Sequence, residues 1–396
     1  MSAYLSVRDL PVDGRRVFLR LDLNVPMKDG KIQDDTRIRE ALPTLRLLIE
    51  RGARVIACSH MGRPKGQRVP ELSLSPVALR LRELLPGIDV AFSPDTLGPE
   101  ARDAARQLQP GAVLLLENIR YEAGETKNDP EVARRIRDMA DLFVCDAFGN
   151  VHRTHASLCA AAALFPQAAA GLLLEKEVEY LMGRLESPER PYAAFLGGAK
   201  VSDKIPVLRR LSERVDVVCI GGAMAYTFLA ARGLTSGQSL MEQDLVGECT
   251  EILALARKRG VRVLLPEDHI AAPAIDQERD LSIVSAEAFP EALCAFDIGP
   301  RTVRAFAAVA ASSKTIFWNG PMGVFERPAF AAGTLALARA VGASSALSVI
   351  GGGDSVLAVT MAGVAHEISH ISTGGGASLE LLAGHALPGL EVLTKA

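Results

Sequence analysis

The stretch VFLRLDLNVPMKDGKIQDDTRIREALPTLRLLIERGARVIACS, residues 17–59, contains the unit from which the whole chain is built. It begins with an apolar run at Val17–Leu23, continues through a segment with helical apolar spacing at Arg37–Arg51, and ends with an apolar run at Arg54–Ser59. Short apolar runs indicate buried strands, and the succession strand–helix–strand indicates a βαβ unit with parallel strands. The stretch therefore predicts an α/β fold in which helices cover both faces of a parallel sheet.

The same alternation continues along the rest of the sequence. Helices are predicted at Ser73–Leu85 and Pro130–Asp138, and further strands at Ala112–Glu117, Leu142–Asp146, Tyr192–Leu196, Asp216–Ile220, Val261–Leu265, Thr315–Trp318, Leu347–Ile350 and Ile368–Ser372. So many strands suit two doubly wound, Rossmann-like domains better than a single sheet. A TIM barrel is the alternative that this pattern leaves open.

The length also favours two domains. At roughly 150 residues per domain, 396 residues correspond to two or three. From Leu174 to Leu185 apolar residues follow helical spacing, and Ser187-Pro188 ends the pattern. We predict a first domain over 1–172, a connecting helix over 173–187, a second domain over 188–377 and a C-terminal segment over 378–396.

Charge and composition exclude several classes of protein. Lys and Arg number 44 against 47 Asp and Glu, so no overall basic surface indicates nucleic-acid binding. The longest uncharged run, 156–174, is rich in Ala and contains Pro166, so we expect a buried segment and no membrane span. No signal peptide is evident, and six scattered cysteines without a Cys-x-x-Cys motif indicate buried thiols in a reducing compartment. We therefore expect a cytoplasmic protein.

In the first half, basic residues recur where strands end. Ligands of open α/β sheets bind beyond the carboxyl ends of the strands, and the arginine fork suits phosphate or carboxylate oxygens. A single arginine in such a position commonly serves only to solvate a helix, but five in comparable positions favour a site for a small polyanion. These five are Arg20, Arg37, Arg63, Arg120 and Arg153, with His60 close to Arg63 in the sequence.

In the second half, glycines stand where the arginines stood. The strands run into Leu196-Gly-Gly198, Ile220-Gly-Gly222, Ile350-Gly-Gly-Gly353 and Thr373-Gly-Gly-Gly376. Glycine lets a phosphate approach backbone N–H groups, and a following helix N-terminus adds partial positive charge. The sequence lacks the P-loop motif G-x-x-x-x-G-K-[ST] and the dinucleotide motif G-x-G-x-x-G, so neither familiar phosphate loop explains these glycines.

Two lysines and one aspartate complete this pattern. Lys200 and Lys204 follow a glycine pair at i, i+4 spacing, which can bring both amines to one side of an incoming helix. Asp354 follows three glycines at a predicted helix start, where it can cap the helix or hold Mg²⁺ beside a phosphate. An arginine site in one domain and a glycine–lysine site in the other suit phosphoryl transfer, which depends on positioning and charge neutralisation.

The motifs taken together resemble those of phosphoglycerate kinases over essentially the whole chain. The segments that carry the resemblance are RLDLNVP (20–26), HMGRP (60–64), ENIRYEAGE (117–125), HRTHAS (152–157), LGGAKVSDKI (196–205), WNGPMGVFE (318–326), GGGDS (351–355) and STGGGASLE (372–380). The resemblance implies reversible phosphoryl transfer from 1,3-bisphosphoglycerate to MgADP, giving 3-phosphoglycerate and MgATP. It also implies hinge closure, a monomer, and a C-terminal segment that returns to the first domain.

The resemblance implies a role for each matching residue. Those implied to bind the acid and its non-transferred phosphate are Asp22, Leu23, Asn24, His60, Met61, Gly62, Arg63, Arg120 and Arg153. Arg37 would orient the reacting carboxyl group, and Lys200, Gly375 and Gly376 would contact the transferring phosphoryl group. Those implied to bind the nucleotide are Lys200, Lys204, Asn319, Glu326, Gly352, Gly353, Asp354 and Ser355, with Asp354 also holding Mg²⁺.

Two departures from the family pattern concern the nucleotide site. Ser355 stands where the family often has Thr, which keeps the hydroxyl group, and Ala295 stands where Gly is common, which could alter nucleotide selectivity. Two alternatives stay open at this point. One is a kinase acting on a different carboxylic acid, and the other is a noncatalytic protein that binds nucleotides or anions.

Overall fold

The computed structural model describes residues 4–395, which form two compact units. Among the described residues, the first unit extends to Glu179 and resumes at Ala386, and the second comprises Tyr180–His385. Each unit contains an open six-stranded sheet in which every strand pairing is parallel. The prediction of two doubly wound α/β domains is confirmed. The TIM barrel is excluded, because each sheet ends in two edge strands.

The first unit has one main sheet and a short hairpin. Its strands are β1 (Arg16–Leu21), β2 (Met27–Lys28), β3 (Lys31–Ile32), β4 (Arg54–Cys58), β5 (Val90–Ser93), β6 (Val113–Leu116), β7 (Leu142–Asp146) and β8 (Ala168–Ala170). Its first five helices are α1 (Thr36–Glu50), α2 (Ser75–Leu84), α3 (Pro99–Gln107), α4 (Pro130–Met139) and α5 (Leu172–Val178). The main sheet has the order β5-β6-β4-β1-β7-β8, and β2 pairs with β3 in the hairpin.

This order places β1 near the centre of the sheet. It pairs with β4 on one side and β7 on the other, so its side chains are almost entirely buried. On one face of the sheet, Val17, Leu19 and Leu21 of β1 and Val55 and Ala57 of β4 belong to one contiguous core with residues of α1 and α2. Because parallel strands end at the same edge of the sheet, the residues that follow β1, β4, β6 and β7 lie along one edge.

The second unit repeats this architecture with a different strand order. Its strands are β9 (Tyr192–Leu196), β10 (Val217–Ile220), β11 (Arg262–Leu264), β12 (Asp268–Ala272), β13 (Ser282–Ser285), β14 (Cys294–Ile298), β15 (Thr315–Asn319), β16 (Leu347–Gly351) and β17 (His370–Ile371). Its helices are α6 (Ile205–Leu211), α7 (Met224–Ala231), α8 (Val246–Lys258), α9 (Pro300–Ser312), α10 (Ala332–Gly342), α11 (Gly353–Met361) and α12 (Gly376–Leu382). The parallel sheet has the order β11-β10-β9-β15-β16-β17.

A second, antiparallel sheet in this unit was not expected. It has the order β13-β12-β14, and its register shifts between Ile270 and Ala271 where β12 meets β14. These strands have only four or five residues, and β13 is largely exposed. Polar residues such as Asp268, His269 and Asp297 interrupt these strands, so they lack the continuous apolar run by which a buried parallel strand is recognised.

The end of the chain packs on the first unit, in a short helix α13 (Pro388–Glu391) and the residues after it. The Leu5 N–H donates to Thr394 O at 2.8 Å, and Thr394 N–H donates to Ala168 O at 2.9 Å. The Gly389 N–H donates to Val151 O at 2.8 Å. The segment that joins the first unit begins at Ala386, whereas 378 was the predicted start, because α12 still packs within the second unit.

The segment predicted as a connecting helix over 173–187 contains an α-helix followed by a π-helix. Helix α5 ends at Val178, and a π-helical segment follows over Glu179–Arg184. The Leu174 N–H donates to the buried carboxylate of Asp146 at 2.9 Å, which satisfies a donor at the helix start. No helix within residues 4–395 is long and apolar enough to cross a membrane.

Candidate functional site

In the first unit, a chain of hydrogen bonds joins residues from three neighbouring strand ends. Arg37, in the first turn of α1, donates from Nη1 to Asp22 Oδ2 and to Asn24 O, at 3.1 Å in each case. Asn24 Oδ1 accepts from the Gly62 N–H at 2.9 Å, and Gly62 O accepts from Arg120 Nη1 at 2.7 Å. The structure thus brings Arg37 together with four of the residues implied to bind the acid.

His60 lies beside these hydrogen-bonded residues, and its side chain is uncharged. Its side chain is buried, and its Nδ1 lies 3.9 Å from Asp22 Oδ1. Burial lowers the pKa of His60 well below its ordinary value of 6.5, and the nearby charges of Arg20 and Arg120 lower it further. A neutral imidazole can donate or accept a hydrogen bond but brings no charge. Positive charge at this site therefore comes from the arginines.

Arg120 and Arg153 carry buried donors that the protein does not satisfy. The Nε atoms of both have no hydrogen-bond partner among residues 4–395. Burial, and then the positive charges of Arg20 and Arg153, lower the pKa of Arg120 to about 10, so it remains charged at neutral pH. Unpartnered donors in a positively charged cluster are what an oxyanion would satisfy. Arg63, one residue after Gly62, is exposed beside the cluster.

Arg20 has a different role from the one predicted. Its side chain is fully buried, and its Nε donates to Ser157 Oγ at 2.9 Å. The buried carboxylate of Glu125 accepts from Ser157 Oγ at 2.7 Å and from the Ser157 N–H at 2.9 Å. Arg20 is therefore a buried residue that stabilises the site and does not line it.

The same layer contains His155, whose Nδ1 lies 3.6 Å from Glu125 Oε1. Burial and the neighbouring arginines lower the pKa of His155 to about 3. Sequence reasoning assigned no function to Glu125, although it ends the ENIRYEAGE motif. The available signal was its place at the end of a motif that also supplies Arg120.

The side chains of Leu23 and Met61 lie in the hydrophobic core. The Leu23 N–H donates to Ser59 Oγ at 2.8 Å, and the Met61 N–H donates to Asn118 Oδ1 at 3.1 Å. With side chain and backbone N–H both engaged, these residues hold the loops in place. The contact with the acid that the resemblance implies for them stays a prediction.

In the second unit, a cleft of about 330 Å³ gathers the predicted phosphate-binding residues. Its lining includes Lys200, Asp203, Lys204, Asn319, Gly352, Gly353, Asp354 and Ser355. These residues follow β9, β15 and β16, which are adjacent in the sheet. Asp203 was not predicted; its place between two lysines in AKVSDK was the available signal.

Lys204 is held by three acceptors on the wall of this cleft. Its buried ammonium donates to Gly197 O at 2.6 Å, to Asn319 O at 2.9 Å and to Asn319 Oδ1 at 2.6 Å. Burial lowers the pKa of Lys204 to about 8, and the negative charges of Asp354 and Asp203 oppose that shift. The ammonium is therefore a charged donor that titrates close to neutral pH.

An apolar cleft of about 510 Å³ shares Gly198, Pro321 and Asp354 with the first. Its walls include Tyr226, Leu240, Ile275, Ala295, Phe296 and Val324, and Glu326 lies in its lining. An apolar slot next to a polar phosphate-sized cleft has the shape and chemistry of a nucleotide site. The structure thus places Glu326 and Ala295 where a nucleoside would lie beside the phosphate residues.

The glycine loops divide into two kinds. A Cβ on Gly222 would lie 2.5 Å from Gly198 N, and its φ of +65° also disfavours a side chain, so this glycine is required for packing. A Cβ on Gly353 would meet nothing within 4 Å, so its backbone is open to a ligand. Gly375 and Gly376 lie at the start of α12 and line neither cleft, so their contact with a phosphoryl group stays a prediction.

Comparison with known proteins agrees with this geometry. The family model described as phosphoglycerate kinase matches residues 7–385. The phosphoglycerate kinase of Koribacter versatilis is 51% identical over 98% of this chain and 99% of its own, and that of Thermus thermophilus is 52% identical over 97% and 98%. The solved structure of phosphoglycerate kinase from Coxiella burnetii has a TM-score of 0.89 at 40% identity, with 98% of each chain covered. The chain therefore belongs to the phosphoglycerate kinase family.

Proposed function

We propose that this protein catalyses the reversible transfer of the acyl phosphate of 1,3-bisphosphoglycerate to MgADP, giving 3-phosphoglycerate and MgATP. The observation that carries the proposal is the division of binding groups between the units. The first unit offers arginines with unsatisfied buried donors, and the second offers a lysine–glycine cleft beside an apolar slot. These are the groups that a phosphorylated acid and a nucleotide require.

On the acid side, we propose that Arg120, Arg153 and Arg63 bind the non-transferred phosphate. Asp22 can accept a hydrogen bond from the hydroxyl group of the acid, and Asn24 and His60 can each donate one to its carboxylate oxygens. Arg37 keeps donors available beyond those engaged with Asp22 and Asn24, since guanidinium carries five N–H groups. It can therefore orient the reacting carboxyl group while remaining fixed.

On the nucleotide side, we propose that Lys200 and the N–H groups of Gly352 and Gly353 bind phosphate oxygens. Lys204 would attract the phosphate through its positive charge, since its three N–H groups are engaged with Gly197 and Asn319. Asn319 and Ser355 fix this arrangement, since Ser355 Oγ accepts from the Gly320 N–H at 2.6 Å and Asn319 holds Lys204. Glu326 is proposed to bind ribose hydroxyl groups, and Gly375 and Gly376 to bind the transferring phosphoryl group.

Asp354 fits the binding of Mg²⁺ that arrives with a nucleotide. Its carboxylate is exposed in the cleft and forms no hydrogen bond or ion pair with residues 4–395. No cluster of three or more potential metal ligands occurs in that range, which suits an ion coordinated mainly by phosphate and water. When bound, Mg²⁺ would neutralise phosphate charge. In its absence, Asp354 raises the pKa of Lys204 and so favours the charged ammonium.

The proposed reaction needs no general base on the protein. In the direction that consumes ATP, the nucleophile is a carboxylate that is already ionised at neutral pH. His60 and His155 have lowered pKa values and lie among arginines, so neither is suited to carry charge there. The catalytic contribution of the chain is the orientation of two anions and the stabilisation of charge on the moving phosphoryl group.

We further propose that the two units close on one another during turnover, as a monomer in the cytoplasm. The groups for acid and for nucleotide belong to different units, so transfer requires the two substrates to be brought together. Exclusion of water at that point would protect the phosphoryl group from hydrolysis. Small-angle scattering should report a smaller radius of gyration with both substrates bound than with either one alone.

The decisive experiment is a coupled assay of ADP formation from MgATP with 3-phosphoglycerate as acceptor. Acetate and carbamate serve as acceptors for the rival hypothesis, a kinase for a different carboxylic acid. We expect turnover with 3-phosphoglycerate alone. Turnover only with another acid would support the rival, and ADP binding without turnover on any of the three acids would support a noncatalytic nucleotide-binding protein.

A further inference from the structure

The second unit contains a larger groove that none of the proposed substrates uses. It has a volume of about 860 Å³ and lies where the end of α7, the outer face of α8 and the residues leading into β11 meet. Strand β11 is an edge strand of the parallel sheet, so no further strand covers this side. The residues that line this groove are different from those of the two nucleotide clefts.

Two arginines in this groove lack a counter-charge. Arg232 donates from Nη2 to Val263 O at 3.1 Å, which holds its guanidinium at the edge of β11. Arg257 lines the same groove, and its positive charge adds to partial burial in lowering the pKa of Arg232. Neither forms an ion pair with a carboxylate within residues 4–395. By contrast, Arg259 at the end of α8 pairs with Glu213 at 3.0 Å.

The rest of the groove is mostly apolar. Leu253 and Ala254 of α8, together with Val261 and Val263, form its wall, and Thr250 adds one hydroxyl group. Two repelling guanidinium groups favour an oxyanion between them, and an apolar wall favours a hydrocarbon body beside it. We propose that this groove binds a small amphipathic anion, with its charged head on Arg232 and Arg257 and its apolar part along Leu253 and Val261.

The test uses n-hexyl phosphate as the probe, with n-hexanol and inorganic phosphate as comparators. Hydrogen–deuterium exchange over residues 246–264 reports binding at this groove separately from binding at other phosphate sites. Because both arginines are exposed, the variants Arg232→Gln and Arg257→Gln should fold, which circular dichroism and Tm can verify. Arg259→Gln is the matched control, since it removes one positive charge from the same stretch.

We expect hexyl phosphate to protect this segment and each groove variant to weaken that effect by about fivefold to tenfold, the value of one partly exposed charged hydrogen bond. Arg259→Gln should stay within about twofold of the parent. Absence of protection at 20 mM probe, or equal weakening in Arg259→Gln, would overturn the proposal. Equal protection by hexanol, which lacks the phosphate group, would also overturn the proposal. Equal protection by inorganic phosphate, which lacks the hydrocarbon chain, would do the same. Failure of the kinase assay has no bearing on this result.

Discussion

The titration of Lys204 offers the sharpest test of the nucleotide site. Its ammonium is buried against three oxygen acceptors, and its pKa is lowered to about 8. The ammonium is therefore about nine-tenths charged at pH 7 and about one-tenth charged at pH 9. If bound phosphate requires the charged form, the Kd for MgADP should rise by roughly tenfold between these two pH values.

The assay is titration calorimetry of MgADP binding at half-unit steps from pH 7 to 9, a range in which the ADP phosphates are already ionised. Lys204→Met should bind more weakly at pH 7 and should lose this pH dependence. Lys200→Met is the control: it removes an exposed amine from the same cleft but retains Lys204, so its profile should keep the slope. A parent whose Kd changes by less than twofold, or a Lys204→Met variant with the parental slope, would refute the reasoning.

A second measurement on the same variants needs no ligand. Because burial lowers the pKa of Lys204, the unfolded state binds more protons than the folded state between pH 8 and the ordinary lysine pKa of 10.5. The free energy of unfolding should therefore rise with pH in this window, relative to Lys204→Met. Urea denaturation at pH 8 and pH 10 measures this difference, and a fall in the parent relative to the variant would show that the sign is wrong.

Three further predictions concern other parts of the molecule. Gly222→Ala should lower the free energy of unfolding in urea by about 2 kcal/mol or more through backbone strain and overlap, whereas Gly353→Ala should change it by less than about 1 kcal/mol and instead weaken MgADP binding. Burial raises the pKa of Asp146 to about 7, so folding favours the protonated carboxyl group. The free energy of unfolding of the parent, measured in urea, should therefore fall relative to that of Asp146→Asn as the pH rises from 4 to 7. A rise relative to the variant would contradict this. Arg37→Ala should reduce kcat by about 100-fold or more. Arg39→Ala is the control, because Arg39 lies on the same helix but pairs with Asp35, and its kcat should stay near that of the parent. Near-normal kcat of folded Arg37→Ala would show that Arg37 does not have the proposed role.

Local hydrophobic pattern was sufficient to predict the parallel strands of both units. A buried parallel strand must be apolar on both faces, so Leu142–Asp146 and Tyr192–Leu196 were recognisable as continuous runs, and the structure has them with these bounds. Strand β8 is only three alanines, which are weak strand formers, and it exists because β7 provides a pairing edge. The antiparallel strands β12 to β14 likewise depend on one another as pairing partners.

The functional residues divide along a similar line. The types and positions of Arg37, Lys204 and Asp354 followed from the sequence, because charge at a strand end is a local property. Only the tertiary structure decided that Arg20 is buried beneath the site, since its partner Ser157 is 137 residues away.

Two glycines show the same difference between what the sequence predicts and what the structure decides. In the sequence, Gly222 and Gly353 both follow strands and both fit a phosphate loop. In the structure, the backbone at Gly198 occupies the space beside Gly222, whereas no atom lies near the missing Cβ of Gly353. The sequence by itself determined the chain's α/β class, its two domains and the anionic character of its ligands, because these depend on composition and local period. Only the tertiary structure decided which groups face a ligand, because burial and close contact depend on residues far apart in the chain.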